Sequence, residues 1–182
     1  MSLGHTDAPY DTCMSAFDAS ARCVTHLFNA MSQPGNREPG LVGAAFVRDD
    51  VYTGLIADSI HVHPAAIRTA VAAKGSKLFL VSDAMATAGS KIDGFELNHR
   101  WVGRDNGRLT LDDGTLAGAD LDLTRAVQVM QHDVGDTHAA AITHATRTPT
   151  NLLNKNDQWG AFGARPKSLI YVDKLMSACP LA

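Results

Sequence analysis

Val51-Tyr52-Thr53-Gly54-Leu55-Ile56-Ala57-Asp58-Ser59-Ile60-His61 is the stretch from which the architecture of the chain can be worked out. Val51 to Ile56 is apolar on both faces, as a strand buried between two layers must be. It stops at polar Asp58 and His61. Pro64 to Lys74 then reads as a helix, with proline at its start and Gly75 just past its end. Leu78-Phe79-Leu80-Val81 is a second apolar strand, closed by Ser82-Asp83. Strand, helix and strand in this order predict a parallel pair with a helical crossover.

The pattern extends upstream. Residues 7–22 read as a helix, with Asp7 as a cap, Pro9 in the first turn, and Tyr10, Cys13, Met14 and Phe17 at helical spacing. Cys23 to Phe28 reads as another buried strand, and residues 32–40 as a loop of turn formers. Downstream of Gly89 the texture changes. Residues 93–118 carry short strand-like pieces around Asn106-Gly107 and Asp112-Asp113-Gly114. Helices are expected over 120–132 and 136–146, with Pro149 blocking a continuation, and Ser168 to Val172 reads as a late strand. The fold class is therefore α/β, with a parallel sheet under helices and polar residues gathered at the strands' C-terminal ends.

Composition narrows the function classes. The chain has 182 residues, 45% of them hydrophobic and 19% charged, with a net charge of −3. That fits a packed domain and gives no basic patch for nucleic acid. The apolar runs fall short of the ~18 residues of a membrane span. Cys13, Cys23 and Cys179 show no metal-finger or redox spacing, so a reducing cytoplasm is expected.

Several residues at strand ends could do chemistry. His5 and His26 would face one point above the sheet, where neutral imidazoles suit zinc or iron; each could equally be an ordinary polar residue. Asp83 could be a ligand, a general base or a helix cap. His61 closes an Asp-x-x-His pattern, whereas His63, before Pro64, belongs on the surface. Arg37 could grip a phosphate with its planar fork or be a solvated loop charge. His99, His132, His138 and His144 read as structural or surface residues.

Ser2-Leu3-Gly4-His5-Thr6-Asp7-Ala8 and Val24-Thr25-His26-Leu27-Phe28-Asn29-Ala30-Met31 resemble the two metal-histidine motifs of N-acetylglucosamine-6-phosphate deacetylase. The likeness continues through Arg37 to Ala44, Ile56 to Val62, Leu80 to Ala84, Gly114 to Gly118 and Ala145 to Thr150. The motifs fall in the family's order over about residues 2–173.

The resemblance implies the C-terminal half of an amidohydrolase: strands five to eight of a (β/α)8 TIM-like barrel over residues 1–155, with a small β insertion at 93–118. Residues 156–182 would be the C-terminal segment of a β-sandwich. It implies hydrolysis of N-acetylglucosamine 6-phosphate to acetate and glucosamine 6-phosphate. His5 and His26 would bind a divalent metal, zinc or alternatively iron or another ion. Asp83 would take a proton from the metal-bound water and return it to the leaving amine. Asn29, Ala30 and His61 would contact the sugar phosphate, Arg37 would hold the phosphate, within one chain or across a dimer interface, and Leu116, Ala117 and Gly118 would line the sugar site. The family's glutamate ligand belongs to an earlier strand. Two functions are therefore expected as alternatives: a deacetylase, in its full-length parent or completed by a partner, or a non-catalytic remnant that folds, oligomerises and binds sugar phosphate. Open strand edges predict a homo-oligomer.

Overall fold

In the computed structural model the described residues are 1–155, 170–172 and 178–180. Four parallel strands form the central sheet in the order β1 (Ser2–Leu3), β2 (Cys23–Val24), β3 (Tyr52–Ile56) and β4 (Leu78–Val81). Sequential strands are neighbours throughout, with Ser2 opposite Cys23, Val24 opposite Thr53, and Ile56 opposite Val81. All five residues of β3 are buried, which explains its unbroken apolar character.

Helices cross between the strands. α1 (Tyr10–Asp18) buries Cys13 and Phe17. It is shorter than the periodicity suggests at both ends: Asp7 makes no cap, and Ser20 turns left-handed at φ 80°. The next strand likewise shrinks to Cys23–Val24, because His26, Phe28 and Ala30 all adopt positive φ and coil the chain away from the sheet. α2 (Gly40–Val47) starts at the last residue of the expected loop and fills a stretch for which the sequence pattern indicates no element. Its sequence, Gly-Leu-Val-Gly-Ala-Ala-Phe-Val, is apolar all round and so shows no helical period. α3 (Pro64–Lys74) begins under the His63 ring, whose Nδ1 accepts from the Ala65 amide at 3.1 Å, and ends at Gly75 with φ 47°.

Lys74 is buried on the inner side of α3. Its Nζ donates to the carbonyls of Ala45 (2.7 Å) and Arg48 (2.6 Å), closing the C-terminal end of α2. Burial holds its ammonium below the usual lysine range.

After β4 an antiparallel sheet, β5 (Gly94–Leu97), β6 (Arg100–Asp105) and β7 (Arg108–Leu111), follows the texture change. The Arg104 guanidinium fixes it to the next segment, pairing with Asp120 at 2.6 Å and donating to the Ser90 carbonyl at 2.8 Å. α4 (Leu123–Val129) runs into a π turn at 130–134, and α5 (His138–Ala145) is broken from α6 (Arg147–Leu152) at Thr146. Pro149 lies in the first turn of α6, where a missing N–H costs nothing. His144 is structural: it is buried, and its Nδ1 donates to the Leu78 carbonyl at 2.7 Å.

The core gathers Phe17, Leu27, Leu41, Leu55, Ile67, Leu78, Leu121 and Met130 between sheet and helices. β8 (Ile170–Val172) and β9 (Ala178–Pro180) pair antiparallel. The rest of the segment expected to belong to a β-sandwich lies outside the described residues.

Candidate active site

The C-terminal ends of the four parallel strands carry the polar residues, and three of them share a backbone feature. His5, His26 and Asp83 have φ of 48°, 24° and 48°. Side chains other than glycine avoid this region at a cost of roughly 1–3 kcal/mol each, and such residues concentrate where a site demands a fixed direction. Gly4 permits the approach of the first two strand ends: a Cβ there would lie 2.4 Å from the Thr25 Cγ2 and 3.6 Å from the His26 ring.

The two imidazoles converge. Their Nε2 atoms are 2.8 Å apart and their rings meet edge to face at 4.6 Å between centroids. His26 is buried, while His5 is exposed. The His26 Nδ1 is buried and has no hydrogen-bond partner among the described residues. Two Nε2 atoms this close are within hydrogen-bond distance of each other, and the pair suits two ligands of one ion. Catalytic zinc ordinarily takes three protein ligands. Among the described residues no group of three or more His, Cys, Asp or Glu could hold a metal. The donor set therefore fits a divalent ion as a pair and not as a complete shell.

A cavity of about 460 Å³ opens over these strand ends. It is lined by His5, His26, Asn29, Ala30, His61 and Asp83, and from the antiparallel side by Leu116, Ala117 and Gly118. Arg37 is exposed in its loop and does not line it. The cation that does is Arg100, on β6, paired at 3.3 Å with Asp113. Nothing in the spacing of the sequence singles Arg100 out, because it reaches the cavity only through the placement of the antiparallel sheet.

The turn after β2 is held from within. The Asn29 amide donates to the carbonyls of His26 and Leu27, both at 3.3 Å, and the Ala30 carbonyl accepts from the Thr6 amide at 3.1 Å. The segment at 117–119 is stitched to the end of β4: the Ala119 amide donates to the Asp83 carbonyl at 2.8 Å, and the Met85 amide to the Ala119 carbonyl at 3.1 Å. At Gly118 a Cβ would fall 2.8 Å from the Met85 Cγ and 2.9 Å from the Asp83 carbonyl oxygen, so only glycine fits.

His61 lies at the β3–α3 corner. Its Nδ1 is 2.5 Å from the Asp58 carboxylate and its Nε2 is 3.1 Å from the Ala117 carbonyl. The Asp58 hydrogen bond raises the His61 pKa, against burial, which lowers it. Burial works to raise Asp58. The hydrogen bonds from His61 and from the amides of His61 and Ile60 outweigh it and hold the carboxyl below its usual range.

No family model matches the sequence. Among curated proteins, the chain is 40% identical over 156 residues to an N-acetylgalactosamine-6-phosphate deacetylase of Shewanella sp. (strain ANA-3), covering 85% of this chain and 40% of that protein. It is 43% identical over 131 residues to an N-acetylglucosamine-6-phosphate deacetylase of Bacillus subtilis (strain 168), covering 71% and 33%. Among solved structures, the Pasteurella multocida N-acetylglucosamine-6-phosphate deacetylase superposes with a TM-score of 0.93 at 32% identity, over 97% of this chain and 47% of that one. A Mycobacterium smegmatis deacetylase solved in complex with N-acetyl-D-glucosamine-6-phosphate gives 0.88 at 29% identity, over 97% and 48%. The chain thus spans less than half the length of each of these relatives.

Proposed function

We propose, from the premise that this chain is homologous along most of its length to the N-acetylglucosamine-6-phosphate deacetylases, that it contributes one half of an amidohydrolase site removing acetate from an N-acetylhexosamine 6-phosphate. N-acetylglucosamine 6-phosphate is the substrate we favour. The four parallel strands are read as strands five to eight of a (β/α)8 barrel, with further strands supplied by another segment or chain. The location we infer is cytoplasmic; no described helix is long and apolar enough to cross a membrane.

The observation that carries this reading is the convergence of His5, His26 and Asp83 on one cavity from strained strand ends. His5 and His26 would hold a divalent ion, zinc for preference. Such an ion, when bound, makes water more acidic and polarises a carbonyl. Asp83 would accept the proton that water loses as it attacks the amide carbon, and deliver it to the departing amine, leaving acetate and the free amino sugar. A positioned carboxylate of this kind is worth ~10²–10⁴-fold. His61 and the 116–118 segment would orient the sugar phosphate. Arg37, outside the cavity of its own chain, would hold phosphate only in an assembly, which is one reason to favour a homo-oligomer.

The competing reading is a chain that binds sugar phosphate without turning it over. The incomplete pair of ligands favours it. Acetate release from N-acetylglucosamine 6-phosphate, with zinc supplied, separates the two. Turnover that survives His26→Ala and Asp83→Asn would sink the proposed site. Saturable binding with no acetate at high protein concentration would leave the second reading standing.

A further inference from the structure

The Asp-x-x-His pattern contains a residue the proposed reaction does not use. The Asp58 carboxylate accepts three hydrogen bonds: Oδ1 from the amides of Ile60 and His61, both at 2.8 Å, and Oδ2 from the His61 Nδ1 at 2.5 Å. The two side chains are 7% and 6% exposed. On its other side, the His61 Nε2 faces the Ala117 carbonyl at 3.1 Å. A carboxylate and a carbonyl are both acceptors, so a ring bonded to both must donate from both nitrogens. Donation from both nitrogens requires the imidazolium form.

We propose that Asp58 is a positioning residue that keeps His61 doubly protonated at neutral pH and aims its Nε2–H into the cavity, where the Ala117 carbonyl holds it until an anionic ligand takes the bond. The anionic ligand rests on the sugar-phosphate reading above; the state of the ring does not. Other charged and titratable groups surround the ring. Asp83, at the end of β4, acts on His61 in the same direction as Asp58. Arg100 lines the cavity from the antiparallel sheet, and His5 and His26 line it from β1 and β2. A neutral His61 keeps one ring proton and gives up one of its two bonds. The bond to the charged carboxylate is the stronger, so the one facing the cavity is lost.

The test uses the full 182-residue chain, labelled with ¹⁵N, and follows the imidazole nitrogens by NMR from pH 5.5 to 8.5. A His61→Gln spectrum assigns the signals. In the parent chain we expect His61 to carry both protons at pH 7, with a midpoint above the ordinary value of about 6.5. Asp58→Asn should weaken proton affinity about tenfold or more, one pH unit in the midpoint, while Asp58→Glu recovers part of it. The remaining imidazoles and the amide fingerprint report whether the variants fold. If neither does, the parent spectrum decides alone, because a neutral single tautomer of His61 at pH 7 overturns the assignment. So does an unchanged midpoint in a folded Asp58→Asn. Titration with N-acetylglucosamine 6-phosphate adds the second arm: Asp58→Asn should bind roughly tenfold more weakly, the worth of one charge-assisted hydrogen bond, with the gap closing above the parent midpoint. A parent chain that shows the doubly protonated ring yet binds no sugar phosphate refutes the anion role, while the proposed half-site is judged by the acetate assay above. That outcome leaves Asp58's hold on the ring established.

Discussion

Arg104→Met should be among the more damaging single changes outside the core, and its size follows from unequal burial. The Asp120 side chain is 5% exposed and that of Arg104 29%. Replacing the arginine strands a nearly buried carboxylate and also removes the donor to the Ser90 carbonyl. Breaking a fully buried pair from one side costs about 3–5 kcal/mol. The partly exposed guanidinium already loses some of that to solvent screening, so we expect ~2–3 kcal/mol. For a chain of this size each kcal/mol moves the melting midpoint by about 2–4 °C, giving a fall of roughly 4–12 °C. Circular dichroism melts of Arg104→Met, Asp120→Leu and the double variant measure it. The double variant should be more stable than the sum of the singles predicts, by at least ~1 kcal/mol, since removing both charges leaves none unpaired. A shift under about 2 °C for Arg104→Met, or strict additivity, would show that the Asp120 carboxylate is not stranded by loss of the arginine.

Two further outcomes follow from the same kind of accounting. Lys74→Met keeps the volume but leaves the carbonyls of Ala45 and Arg48 without their donor, and should cost ~2 kcal/mol in urea unfolding. Because the folded lysine is held below its ordinary range, the unfolded chain keeps the proton to higher pH. The parent's stability from this site therefore rises with pH between the lowered folded value and the unfolded value of about 10.5. The variant should lack that rise, and an identical pH dependence would count against a buried ammonium. Gly118→Ala should cost ~1–3 kcal/mol and speed hydrogen exchange at the Ala119 amide. Adding Met85→Ala should not rescue it fully, because the Asp83 carbonyl is backbone; full rescue would show that the contact to Met85 was the whole effect.

The α/β character was legible where pattern and physics coincide. β3, α3 and β4 fall where Val51 to Asp83 suggest, since an apolar strand, a proline-started helix and a glycine stop each leave a local signature. α2 left none: Leu41, Val42, Ala44 and Ala45 are all buried, so no polar face marks the turns. The strand after Arg22 was overextended for the opposite reason. Val24 to Phe28 is apolar enough for a strand, but nothing in the residue types announces left-handed φ at His26 and Phe28. In the site, His5, His26, His61 and Asp83 stood out as polar residues ending apolar runs. Asp58 was visible with them in the Asp-x-x-His pattern, though not its hydrogen bond to the His61 ring; Arg100 did not stand out, because it reaches the cavity only through the placement of the antiparallel sheet.

The positive φ at His5, His26 and Asp83 has a consequence for anyone improving this protein by selection. Glycine occupies that region freely, so His5→Gly, His26→Gly and Asp83→Gly would each relieve backbone cost. A library screened only for heat resistance would therefore tend to enrich glycine at the three strand ends. It would return robust chains stripped of the groups that face the cavity, and a screen that also reads ligand or metal binding is needed to keep them.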